Sequence, residues 1–217
     1  MILSARYLQP ALALAICAAA LGAPAFAQVA PQPQPPAAQE KQREGRPLDK
    51  MPQTADEKAK VLNDLYAHLA TANDEQSAKS IAETIERLWL QSGSETINLL
   101  MERSGAALAA KNTDLALRLL DYVVELAPDY AEGFNRRAYV YFSQNNLESA
   151  VGDLRRTLAL EPNHFKALDG LGQIWREHGN KKGALRVIKQ LLEIYPNWPG
   201  AKQAAEELTR EVEGQGI

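Results

Sequence analysis

From Asp56 onward the apolar residues recur three and four positions apart, and no run of β-branched residues alternates with polar ones. The pattern predicts helices over this whole region and no sheet. Helix breakers punctuate it evenly: Pro128, Pro162 and Pro196 stand 34 residues apart, each closing a similar phrase, VVELAP, TLALEP or LLEIYP. Ala116, Ala150 and Ala184 keep the same interval, as do Asn112, Asn146 and Asn180. A unit of this length holds two helices and their turns, and such a pair is too small to fold alone.

Three units align residue by residue. The unit 131–164 carries Phe134, Ala138, Tyr141, Ala150, Leu154 and Pro162; the unit 165–198 carries Leu168, Gly172, Trp175, Ala184, Ile188 and Pro196 in the same places. The unit 97–130 carries Leu100, Ser104, Ala107, Ala116, Leu120 and Pro128, its Ala107 being smaller than its counterparts. Small side chains let the paired helices approach, and the large ones fill the grooves left opposite. The asparagine is placed to cap the second helix, and the proline stops that helix at the start of the next unit. These residues resemble the tetratricopeptide repeat. The resemblance implies an all-α, right-handed superhelical solenoid of stacked antiparallel helix pairs.

Two flanking segments extend the array. In 57–96, "NDEQSA" aligns with "NNLESA", placing Asp74 as a cap and Ala78 at the small position of a degenerate first repeat. Ala78 and Ala116 are 38 residues apart, so the second helix here is expected to be one turn longer and to carry Trp89. A plain capping hairpin is the alternative. Residues 199–217 predict an amphipathic capping helix and tail, with Lys202, Glu206, Glu207 and Arg210 outward.

The N-terminus reads differently. One basic residue, Arg6, an apolar run from Ala11 to Leu21 and the close Ala25-Phe26-Ala27 are the layout of a secretory signal peptide, 1–27, cut after Ala27. The run is shorter than the ~20 residues that span a bilayer. Ile16 before Cys17 disfavours a lipoprotein site, and Cys17 is the one cysteine of the chain. Residues 28–56 are dense in proline and poor in large apolar side chains, which predicts a disordered linker or, alternatively, a proline-rich recognition motif. Cleavage would remove one of 24 basic residues and leave 23 against 27 acidic, a formal net charge of −4. That balance, with no basic patch, argues against nucleic acid as a partner.

The sequence offers no catalytic constellation: HExxH, paired cysteines, a phosphate-binding glycine loop and a nucleophile elbow are all absent. His68, His164 and His178 lack metal-ligand spacing, and surface or capping roles are expected for the last two. No catalytic residue, metal or cofactor is therefore assigned. Arg137 and Asp153 resemble a bacterial sub-type of the repeat in which the first helix carries arginine and the second an acid; an ion pair within the unit is the expected role, a ligand contact the alternative.

The resemblance also implies a concave surface formed by the first helix of each unit. It reads Asn98, Met101, Gly105 and Leu108, then Glu132, Asn135, Tyr139 and Phe142, then Lys166, Asp169, Gln173 and Arg176. Of these, Asn98, Met101, Asn135, Tyr139, Phe142, Lys166, Gln173 and Arg176 are the candidate partner-binding residues. Aromatic anchors beside amides suit an extended peptide or a helix; packing of Tyr139 and Phe142 against neighbouring repeats is the alternative. The lysine and asparagine set with which some family members hold chaperone tails is missing. The expectation is a non-catalytic protein-interaction scaffold or adaptor of the bacterial cell envelope, periplasmic or, alternatively, secreted, with a protein or peptide partner. An accessory subunit of an envelope enzyme or of a secretion or assembly complex is the second reading.

Overall fold

The structure, a computed structural model, describes Pro52 and residues 54–214. The expected signal peptide, most of the expected linker and residues 215–217 lie outside them. Among the described residues the chain forms nine α-helices and no strand: α1 (Ala55–Ala70), α2 (Glu75–Trp89), α3 (Glu95–Ala109), α4 (Thr113–Leu126), α5 (Ala131–Ser143), α6 (Leu147–Leu160), α7 (Phe165–Glu177), α8 (Lys181–Ile194) and α9 (Ala201–Gly214). Helix α1 starts two residues inside the segment read as linker, where Thr54 and Glu57 form a reciprocal capping box.

Local chemistry repeats with the sequence. Asn112, Asn146 and Asn180 each accept a hydrogen bond from the backbone three residues on, at 3.1, 3.3 and 3.0 Å. The residue before each of them, Lys111, Asn145 or Gly179, has φ of 58°, 58° or 77°. This left-handed residue lets the asparagine N–H return to a carbonyl of the preceding helix, at 2.8 Å in all three units. Helices therefore pair as α3 with α4, α5 with α6 and α7 with α8, and α9 closes on α8. Ser104, Ala138 and Gly172 are buried where the paired helices meet, and a Cβ on Gly172 would stand 3.1 Å from Ile188.

Arg137 and Asp153 form the ion pair expected between the helices of their unit. The contact is bidentate, Nε to Oδ2 at 2.7 Å and Nη2 to Oδ1 at 2.8 Å, and Nη1 also reaches Asp121 of the preceding unit at 2.9 Å. The Asp153 bond raises the Arg137 pKa, against burial, so the guanidinium stays charged.

The first hairpin departs from the stacked order that the sequence predicts. Apart from its pairing with α2, helix α1 packs on α8, and α2 makes no substantial contact with α3. The hairpin lies across the turns that join α6 to α7 and α8 to α9. Trp89 stacks on His164, ring centroids 3.8 Å apart and planes 10° from parallel, and also touches Phe165 at 4.6 Å. The Trp89 indole donates to Tyr66 Oη at 2.9 Å, and Asn197 donates to the Ala72 carbonyl at 3.1 Å. One apolar cluster thus joins α1 and α2 to residues of α5 to α9, while α3 and α4 form a second with Tyr130 and Val140. The expected extra turn of α2 is also corrected. At 15 residues α2 is one longer than α4; the rest of the extra length sits in the linker Leu90 to Ser94 and the first residues of α3.

Candidate functional site

Helices α3, α5 and α7 present one face to a groove of about 530 Å³. Its apolar lining comes from Leu108, Ala138, Tyr139, Phe142, Leu154, Ile174 and Trp198, and its polar lining from Glu132, Asn135, Arg136, Lys166, Asp169 and Gln173. Tyr139 is 65% and Phe142 36% exposed, so both rings face the groove rather than packing between repeats.

Both acids of the groove are already engaged. Glu132 accepts from Asn135 Nδ2 at 2.9 Å, Arg136 Nε at 3.1 Å and His164 Nε2 at 3.1 Å. Burial opposes its ionisation, but the His164 hydrogen bond, with Arg136, outweighs burial and holds the carboxyl below the usual range. His164 Nδ1 accepts the Ala167 N–H at 3.2 Å and caps α7. The proton of the neutral ring must then sit on Nε2, facing Glu132. His164 is thus a cap, as expected, but a fully buried one. Asp169 accepts from Gln173 Nε2 at 2.7 Å and from the Trp198 indole at 3.1 Å. Burial raises its pKa despite these two bonds.

This geometry defines what the groove offers. Asn135 and Gln173 turn their NH2 groups to carboxylates, so their carbonyl oxygens remain as acceptors in the groove lining. Lys166 pairs with Glu86 of α2 at 2.6 Å and stays partly exposed. Lys58 donates to the Gln91 carbonyl at 2.6 Å; burial lowers its pKa against the pull of Glu161 and Glu132.

Five of the candidate residues, Asn135, Tyr139, Phe142, Lys166 and Gln173, line this groove. Arg176 lines a neighbouring recess with Asp169, Pro199 and Gly200. Two candidates are corrected. Met101 is 3% exposed and belongs to the α3–α4 core, packed with Ile97, Leu120 and Val123, so it is not available to a ligand. Asn98 is absent from the groove lining, and its Oδ1 holds the turn before α3, accepting from Ser92 N and Oγ at 3.2 and 2.7 Å. Trp198 and Arg136 were not legible as groove residues. The available signal for Trp198 was its register with His164, 34 residues earlier, which likewise faces the start of a first helix.

A family model described as tetratricopeptide repeat matches residues 101–154 and 135–201. A TPR repeat-containing protein of Rhizobium etli is 37% identical over 153 residues, covering 70% of this chain and 75% of the relative. The chain belongs to the tetratricopeptide repeat family. Among solved structures, the Sgt2 TPR domain from Aspergillus fumigatus aligns with a TM-score of 0.51 at 23% identity, over 57% of this chain and 83% of the other. MamA protein aligns with a TM-score of 0.51 at 19% identity, over 73% and 84%. These two likenesses concern the fold. Tetratricopeptide repeats are protein-interaction modules, and among the described residues no helix of this one is long and apolar enough to cross a membrane.

Proposed function

We propose that this repeat protein is a non-catalytic adaptor of the bacterial cell envelope that holds an extended peptide or short helix of a partner protein in the α3–α5–α7 groove. The observation that carries the reading is the exposure of Tyr139 and Phe142 over a groove whose carboxylates are already satisfied. A ligand there gains apolar burial on the two rings and hydrogen bonds to the free amide oxygens, without having to neutralise a buried acid. The groove supplies shape and acceptors, and the reading requires no reacting group of it. Export rests on the N-terminal Arg6, apolar run and Ala25-Phe26-Ala27 pattern.

A photo-crosslinking residue at Tyr139, introduced in the native host, tests the groove, with Lys202 on the exposed side of α9 as control. Capture of one protein at Tyr139 and not at Lys202, in a periplasmic fraction, is the expected result. The same scatter of proteins at both positions, or none at either, refutes groove binding. Recovery with the cytoplasm refutes the envelope assignment.

A further inference from the structure

Among the described residues the solenoid has an uncovered end. Numbering each unit from residue 97, 131 or 165, the third, seventh and tenth residues of the first helix pack against the preceding unit in 131–164, and their counterparts Ala167, Leu171 and Ile174 are buried in 165–198. A Cβ on Gly133 would come within 2.7 Å of Val123, Arg137 reaches Asp121, and Val140 is buried with the α3–α4 cluster. On the second helix, Arg156 and Gln190 reach back to the carbonyls of Pro128 and Pro162, at 2.9 and 3.2 Å. In the first unit the matching residues are Leu99, Arg103, Ala106 and Tyr122, and all are exposed. Leu115 and Leu126 extend the apolar surface along α4, Tyr122 being 57% and Leu126 61% exposed. The α1–α2 hairpin, which sequence order would set there, is docked elsewhere.

We infer that this face joins two copies of the chain, α4 against α4 of the second copy, antiparallel about a two-fold axis. Two observations favour a second copy. The opposite end of the solenoid is closed by α9, whose outward residues Lys202, Glu206, Glu207 and Arg210 are exposed and charged, so head-to-tail stacking would bury charge against leucine. The α4 face, in contrast, is complementary to itself. Leu115, Tyr122 and Leu126 lie along one stripe, and a two-fold axis near its centre sets Leu115 against Leu126 of the other copy. Arg118 and Glu125, both exposed, flank the stripe on one edge two turns apart, and the same axis brings each opposite its counterpart of opposite sign. Arg103 lies at the α3 edge, long enough to turn its charge to water. A face two helices wide and about 21 Å long is near the lower limit of specific interfaces. The dimer is therefore reversible and concentration-dependent.

Sedimentation equilibrium of the full chain over a concentration series tests this. The mass is expected to rise from 23.8 kDa toward twice that value, and Tyr122→Glu to hold the protein at the monomer mass. Arg118→Glu and Glu125→Arg should each weaken the dimer about tenfold, and the double reversal should restore it to within about threefold, because the pairs are re-formed with exchanged sign. All three residues are exposed, so an unchanged helical signal at 222 nm keeps loss of fold from imitating loss of dimer. A monomer at every concentration overturns the proposal and leaves the stripe to another protein. Association that ignores Tyr122→Glu, or a double reversal that stays as weak as either single change, overturns it equally.

Discussion

Asp153→Asn probes the inter-helix ion pair, and the next unit of the same protein supplies the control. Arg137 and Asp153 have side chains only 18% and 10% exposed and share two hydrogen bonds. Asparagine keeps one acceptor but turns an NH2 toward the guanidinium, so one bond is lost and a donor faces a donor. Bonds to charged groups are worth about 1.5–3 kcal/mol and breaking a buried pair costs about 3–5. Asp121 still holds Arg137 and the site is partly wet, so the expected loss is about 2–3 kcal/mol, or roughly 4–12 °C in Tm for a domain of this size. In the unit 165–198 the same two positions hold Leu171 and Val187, both buried. Arg137→Leu with Asp153→Val should therefore fold to within about 1 kcal/mol of the natural protein, since apolar side chains commonly replace a buried ion pair at little cost. Urea unfolding followed at 222 nm, with a melting curve for each variant, completes the double-mutant cycle. An unchanged Tm for Asp153→Asn, or a double variant no better than the single one, would refute the reasoning.

Lys111→Gly should stabilise the protein by about 0.5–1 kcal/mol, because a lysine at φ 58° is strained where glycine is not; a lower urea midpoint would contradict this. Trp89→Ala should cost about 3–5 kcal/mol and release the hairpin first, read as faster amide exchange in α1 and α2 than in α5 to α8; uniform loosening would argue against hairpin docking as a separate step. The folded pKa of Glu132 is depressed, so its contribution is full above the unfolded value of about 4.3 and is lost as pH falls through the folded value; Glu132→Gln should flatten that part of the stability profile and lower its neutral plateau. Asp169, whose pKa is raised, acts in the opposite sense, so the difference between the two proteins is the quantity to read. Tyr139→Ala should leave stability within about 0.5 kcal/mol while abolishing capture of a groove ligand; a large fall in Tm would return Tyr139 to the core.

The three stacked units and half of the groove were legible in the sequence because their contacts are local or run between adjacent units. Asn112, Asn146 and Asn180 cap the helices they precede, and Arg137 meets Asp153 across one hairpin, so a 34-residue register suffices to place them. Met101 misled for the opposite reason. Its place in the register points to the groove, but a register carries no information about which side chains the α3–α4 core takes in.

The placement of the α1–α2 hairpin was decided by tertiary structure alone. Its apolar face had two candidate surfaces, the adjoining α3–α4 end with Leu99, Tyr122 and Leu126, and the distant edge with His164, Phe165, Tyr195 and Trp198. Closing a loop costs free energy that grows only with the logarithm of its length, whereas aromatic burial and stacking depend on the surfaces that meet. The distant edge offers Trp89 a stacked imidazole and Phe165, and its Asn197 donates to the hairpin's Ala72 carbonyl across 125 residues of chain. Periodicity along the chain therefore determined the helices, their caps and their pairing, while the free energy of side-chain burial, indifferent to sequence order, chose where the hairpin docks and which end of the solenoid is left uncovered among the described residues.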